Sequence, residues 1–161
     1  MKGFRYIYYI LFTLFCVFSC KAQNKDLPTF KVVRIIDGDT VVVLNSKNEQ
    51  LKIRLAEIDC PEKAQDFGNK ARQFTSDAIF SKKVQIDLLE QDRYGRYIGK
   101  IYYNQKYLSE ELVKNGLAVV YRKYSNSKKL LELEEQAKNK KIGIWSLKNF
   151  ESPESFRHSK K

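Results

Sequence analysis

Between Phe30 and Leu44 the chain reads FKVVRII, then Asp37-Gly38, then DTVVVL. β-Branched residues on both sides of an Asp-Gly step are the strongest short-range signal for a β-hairpin. The same residues lose side-chain freedom in a helix, so a helical reading of this segment is disfavoured. Phe30–Ile36 and Asp39–Leu44 are therefore expected as an antiparallel pair. A lone hairpin is marginal in water, so more strands must cover its apolar face.

The rest of the chain supplies them. Asn45 to Glu49 reads as a turn. Leu51, Ile53 and Leu55 alternate with Lys52 and Arg54, which puts both cations on one face of a third strand. Residues 58–68, with Pro61 and Gly68, read as a loop. Asn69 is expected to cap a helix carrying Ala71, Phe74 and Ala78 at helical spacing. Val84–Leu89 and Arg96–Tyr103 are the fourth and fifth strands, joined by the turn Asp92-Arg93-Tyr94-Gly95. Ser109 is expected to cap a short helix that has Glu110 and Glu111 in its first turn and ends at Gly116. Ser127 precedes an amphipathic helix built on Leu130, Leu133 and Ala137. Ile142-Gly143-Ile144-Trp145 closes the domain, and residues 151–161 read as polar and frayed. No repeat is visible, so a solenoid or propeller is excluded. Short strands with a helix between the third and fourth predict an α+β protein. Its expected architecture is a five-stranded OB-type Greek-key barrel with about three α-helices.

Composition narrows the chemistry. The 161 residues suit one domain, and ten Phe with ten Tyr supply a packed core. Three cysteines exclude a disulfide framework, and a single histidine excludes any mechanism that needs two. The formal charge of +11 points to a polyanionic partner and to strong salt dependence of its binding.

The amino terminus is expected to be an address rather than part of the fold. Lys2 and Arg5 precede the apolar run from Ile7 to Phe18, which is too short to span a bilayer at about 20 residues. A charged start, a short apolar centre and a small-residue exit read as an export signal. Two processing routes fit. Val17-Phe18-Ser19-Cys20 resembles a lipoprotein signal, with residues 1–19 removed and Cys20 lipidated. Ordinary cleavage after Ala22 is the other. Loss of residues 1–19 takes Lys2 and Arg5 and no acid, so the charge falls from +11 to +9. Cys60 is then without a disulfide partner. The expected organisation is a signal in 1–19, a linker in 20–29, an OB-type barrel domain in 30–147 and a polar tail in 148–161. The membrane would be met only through a lipid anchor, and the protein is expected to be an exported monomer.

Unusual charge sits beside three tight turns: Asp37-Gly38-Asp39-Thr40, Arg54 through Glu62, and Asp92 through Arg96. The order I-D-G-D-T, R-L-x-x-I-D-x-P-E, D-x-Y-G-R, then a G-L-A segment and a closing I-W, resembles the staphylococcal nuclease family from about Lys31 to Trp145. The resemblance implies one calcium ion held by Asp39, Asp59 and the backbone carbonyl of Cys60. It implies Arg54 and Arg96 as phosphate-binding catalytic arginines and Glu62 as the residue acting on the attacking water. Tyr121 or Tyr124 matches the tyrosine lining the nucleotide pocket, and both remain open. The loop from Lys63 to Gly68 is shorter than in the best-known member, so no substrate-binding lysine is carried over from it.

These residue types suit the reaction. Attack on a phosphodiester adds negative charge to the phosphoryl oxygens, and fixed cations stabilise that transition state. Arginine offers paired donors to phosphate. Calcium selects carboxylate, carbonyl and water, and two carboxylates with a carbonyl make a weak site of roughly 10⁻⁴–10⁻³ M. A free glutamate titrates at about 4.3, low for a base at neutral pH, so Glu62 suits orienting water more than accepting its proton. Tyr94, Tyr121 and Tyr124 can stack on exposed bases, which favours single-stranded or frayed DNA and RNA without sequence preference.

Taken singly, most of these residues have plainer readings. Asp37-Gly38 is a turn, Cys60 a small core filler, and Trp145 a packing anchor. His158-Ser159-Lys160 matches the start of a phospholipase D-type motif by chance. It is the joint spacing of Asp39, Arg54, Asp59 and Glu62 that favours a sugar-nonspecific endonuclease, and the family resemblance implies that its products carry 3′-phosphate ends. The rival is a non-catalytic nucleic-acid-binding OB-fold lipoprotein. A degenerate copy would be expected to lack one of those four.

Overall fold

A computed structural model describes residues 27–160. The 1–19 segment, Cys20 and most of the 20–29 linker lie outside the described residues.

The first antiparallel strand pair forms as expected. β1 (Thr29–Ile35) pairs antiparallel with β2 (Thr40–Leu44), and β2 pairs with β3 (Gln50–Leu55). After a short β4 (Ile58–Asp59) comes α1 (Gly68–Ile79). β5 (Lys83–Gln91) then pairs with β1 and with β6 (Tyr97–Tyr103). β3 lies parallel to β6, Arg54 opposite Ile98, and this pairing closes the five-stranded barrel. Register shifts in β1 between Val32 and Arg34, and in β5 between Leu88 and Glu90, give strands the bend that closure requires. Val32, Val41, Val43, Ile53, Leu55, Ile86 and Ile101 fill the interior, as the alternation predicts.

The remaining elements cover the barrel. β7 (Lys106–Tyr107) leads into α2 (Leu108–Lys114), and β8 (Val119–Val120) pairs with β4. α3 (Lys128–Asn139) starts at Ser127, whose hydroxyl accepts from the Leu130 N–H, and buries Leu130, Leu133 and Ala137. A 3-10 turn follows at Gly143–Ser146.

Four local expectations are corrected. The reversal at Asp37-Gly38 spans Ile36 to Asp39, with the Ile36 and Asp37 N–H groups both donating to the Thr40 carbonyl. Gly38 does not adopt the left-handed backbone of a two-residue hairpin turn. Its missing side chain serves packing instead. A Cβ there would lie 2.8 Å from the Ala71 Cβ and 2.9 Å from the Cys60 Cβ.

Asn69 is not the cap of α1. The helix begins one residue earlier, and Phe67 precedes it in the left-handed region at φ 68°. Gly68 is required there, because a Cβ would fall 2.0 Å from the Glu62 carbonyl oxygen.

Ser109 lies inside α2 rather than at its cap, which is Tyr107. The Ser109 hydroxyl instead donates to the Ala56 carbonyl at 3.0 Å.

The carboxyl terminus is not frayed. It forms α4 (Pro153–Ser159), making the helices four rather than about three among the described residues. Ser152 caps it by accepting the Ser155 N–H at 3.1 Å, Pro153 takes the first helical position, and Glu154 lies in the first turn.

Candidate active site

Arg54 is the centre of the site. It leaves β3 on the outer face, yet its side chain is only 12% exposed. The chain reverses just after it, through Glu57 at φ 71°. Arg54 Nη1 donates to the Leu55 and Ile58 carbonyls at 2.9 Å each, so the turn wraps around its own arginine. Glu57 anchors the turn from outside. Its carboxylate accepts the Tyr107 hydroxyl at 3.0 Å and pairs with Lys100 at 2.9 Å.

Two carboxylates flank the Arg54 guanidinium. Nη1 is 3.1 Å from Asp39 Oδ2, and Nη2 donates to Asp59 Oδ1 at 2.8 Å. Asp39 is aimed by its neighbours. Its Oδ2 accepts the Cys60 N–H at 2.7 Å, and its Oδ1 accepts the Thr40 hydroxyl at 3.2 Å. Thr75 of α1 ties down the preceding residue by donating to the Gly38 carbonyl at 2.6 Å. Asp59 is positioned by β4, where it pairs with Val119 of β8. The first two sequence motifs are thus one structural unit.

Burial sets the electrostatics. It pushes the Asp39 carboxyl above its ordinary range, against the pull of Arg54. Burial alone would lower the Arg54 pKa, but Asp39 and Asp59 outweigh it and raise it. Burial, reinforced by Asp39, pushes the Cys60 thiol well up, so the sulfur is a buried, protonated filler and not a nucleophile.

Glu62 heads the loop after Pro61. Its N–H donates to Gln65 Oε1 at 2.8 Å, and its carbonyl accepts the Gln65 N–H at 2.8 Å. Its carboxylate joins the cluster through a residue the sequence reading missed. Arg157 of α4 donates Nη1 to Glu62 Oε1 at 2.7 Å and to Asp59 Oδ1 at 3.2 Å, and Nη2 to Asp59 Oδ2 at 2.8 Å. The Ser152-Pro153-Glu154 start of α4 was the available signal, being a helix-start pattern. Nothing local says where the helix docks.

Arg96 stands in a separate network. Its Nε donates to Asp92 Oδ2 at 2.8 Å, and Asp92 also receives the N–H groups of Tyr94 and Arg96. Burial would raise the Asp92 pKa, but these donors hold it below its ordinary value. The Arg96 guanidinium lies 5.7 Å from the Tyr94 ring centre, and Tyr94 is 70% exposed. Tyr121 and Tyr124 meet edge to face at 5.0 Å. Tyr121 lines a cavity of about 400 Å³ that also reaches Asp59, Arg122, Trp145 and Phe150, whereas Tyr124 stands exposed outside it.

The donor set fits a hard cation sparingly. Asp39 and Asp59 offer carboxylate oxygens, and the protonated Cys60 offers no thiolate. Among the described residues no group of three or more His, Cys, Asp and Glu side chains gathers as a metal set. A cation here would complete its shell with main-chain carbonyl and water.

A barrel carrying this arginine–carboxylate cluster is the arrangement expected of a nuclease that hydrolyses phosphodiester bonds. The family model described as staphylococcal nuclease homologue matches residues 52–147, and the chain belongs to that family. It is 38% identical over 151 residues to an uncharacterized endonuclease of Haemophilus influenzae, covering 94% of this chain and 84% of the relative. It is 37% identical over 142 residues to a micrococcal nuclease of Shigella flexneri, covering 81% of each. It is 33% identical over 139 residues to a thermonuclease of Staphylococcus hyicus, covering 80% of this chain and 82% of the relative.

Proposed function

We propose that this endonuclease is exported, depends on calcium, acts as a monomer and cuts both DNA and RNA to leave 3′-phosphate ends. The observation that carries the reading is the convergence of Asp39 and Asp59 on the Arg54 guanidinium, with Glu62 beside them through the shared Arg157 contact.

Asp39, Asp59 and the Cys60 carbonyl would hold the ion. Bound calcium would supply a fixed positive charge that polarises the scissile phosphate. Arg54 has donors to spare. Its Nη1 hydrogens and one from Nη2 are committed, while among the described residues Nε–H has no protein acceptor. Those free donors suit a phosphoryl oxygen. Glu62 acts on the attacking water, and Arg96 contacts the phosphate and the leaving group. Attack at phosphorus breaks the bond to the 5′ oxygen, which leaves as a hydroxyl once protonated. Exposed Tyr94 and Tyr124 suit stacking on splayed bases, which favours single strands. A lipid on Cys20 would tether the enzyme without entering this chemistry.

The test uses purified residues 24–161 with single-stranded DNA in calcium, in magnesium and in chelator, beside Glu62→Gln. Cleavage in calcium alone, reduced about 10²–10⁴-fold in the variant, is expected. Salt-sensitive binding without cleavage in any metal would leave a nucleic-acid-binding lipoprotein instead.

A further inference from the structure

We propose that α4 is a latch over the active site, and that Arg157 and the divalent cation exclude one another. The inference rests on the calcium reading above and adds a regulatory device to that site.

Arg157 fills the positions a cation needs. Asp59 Oδ2 accepts Arg157 Nη2 at 2.8 Å, and Asp59 Oδ1 accepts Arg54 at 2.8 Å and Arg157 Nη1 at 3.2 Å. Both oxygens of the carboxylate therefore face guanidinium. Glu62 Oε1 accepts Arg157 at 2.7 Å, so the group meant for water is engaged as well. A dication brought to Asp59 would lie against a fixed positive charge in a poorly solvated place, since the Asp59 side chain is only 3% exposed. Arg157 must withdraw before the ion can settle.

The charge balance leads to the same exchange. Asp39 and Asp59 flank Arg54, and Glu62 joins them through Arg157, so the three carboxylates exceed the one charge of Arg54 by two. A divalent cation cancels that surplus in full, and Arg157 cancels half of it. Arg157 is thus the chain's own partial stand-in for the ion.

The latch is also built to release. Pro153 is the one buried residue of α4. Beyond the three Arg157 bonds, the segment leading into α4 is tied back by Gln65 Nε2, which donates to the Glu151 carbonyl at 3.1 Å, and by the Phe150 ring, 5.0 Å from that of Trp145. An element with so little buried apolar surface opens without unfolding the barrel. Where calcium is scarce the site stays closed, and where it is abundant the helix lifts.

A latch closed about nine-tenths of the time weakens apparent affinity about tenfold, because only the open fraction binds. The test uses the full-length chain in non-ionic detergent. Calcium affinity is measured by calorimetry for the unaltered protein, Arg157→Gln, Arg157→Lys and Asp59→Asn. Chymotrypsin cleavage at Phe156 is followed in calcium and in chelator. The expected result is calcium binding about tenfold tighter in Arg157→Gln, intermediate binding in Arg157→Lys, and none in Asp59→Asn. Calcium should speed cleavage at Phe156 in the unaltered chain. Equal or weaker calcium binding by Arg157→Gln, or cleavage indifferent to calcium, overturns the latch and leaves the calcium site standing. No calcium uptake by either protein overturns the calcium reading and the latch with it.

Discussion

The Cys60 backbone N–H donates to Asp39 Oδ2 at 2.7 Å, joining residues 21 positions apart. The contact fastens the end of β4 to the bend before β2, with Arg54 held between. Asp39→Ala should therefore damage more than chemistry. It leaves a buried N–H without its acceptor and Arg54 short of one carboxylate, at a cost of about 3–5 kcal/mol. Urea unfolding monitored by Trp145 fluorescence checks this. Cys60→Ala, which keeps the backbone donor, should retain activity within a few-fold and cost about 1 kcal/mol.

Gly38→Ala should disturb the site through packing. The added methyl would press on Ala71 of α1 and on Cys60, at 2.8 and 2.9 Å. Overpacking of this kind costs about 1–3 kcal/mol. Because Gly38 precedes Asp39, nuclease activity should fall with stability. Thr75→Val, which removes the bond to the Gly38 carbonyl, should cost about 1 kcal/mol and move Asp39 less. Parallel urea curves and initial rates on single-stranded DNA distinguish the two variants.

The two arginines should separate when changed to lysine. Arg54 serves two carbonyls and two carboxylates at once, a pattern an ammonium group cannot reproduce. Arg54→Lys should lose about 10²–10³-fold in kcat and destabilise the fold. Arg96 lies in a turn and pairs only with Asp92 among the described residues. Arg96→Lys should lose activity on the same scale while stability changes by less than about 0.5 kcal/mol. Rates and unfolding midpoints on the same preparations give the comparison.

Glu134 should contribute to acid stability. Burial alone would raise its pKa, but the Val120 N–H and the Lys138 and Arg122 side chains outweigh it and hold it below 4.5. The folded state therefore sheds this proton more readily than the unfolded chain. The stabilisation is complete above 4.5 and disappears as pH falls through the folded-state value. Glu134→Gln should cost about 2 kcal/mol at neutral pH, and its deficit should shrink on acidification. Urea midpoints measured from neutral pH downward through this range give the check.

Much of the site was legible because its residues are close in sequence. Arg54, Asp59 and Glu62 share one strand, one turn and one loop start, so their spacing alone brings them near each other. Strand alternation at Leu51, Ile53 and Leu55 likewise foretold which side of β3 Arg54 would leave. Asn69 and Ser109 misled because both can cap a helix, while the actual starts answer to contacts elsewhere. Gly68 starts α1 under the Glu62 carbonyl, and Ser109 turns inward to Ala56. Local capping preference is weak beside a tertiary contact of that kind.

The sequence by itself determined the barrel, the succession of its strands along the chain and the family, because periodicity, turn chemistry and short motifs are local properties. The tertiary structure alone decided that Asp39 and Cys60 touch, that Gly38 is needed for packing rather than for its turn, and that Arg157 closes on Asp59 and Glu62. Those contacts join segments up to 98 residues apart. They depend on how barrel, helices and tail assemble in space, and that assembly decides which charges lose water together.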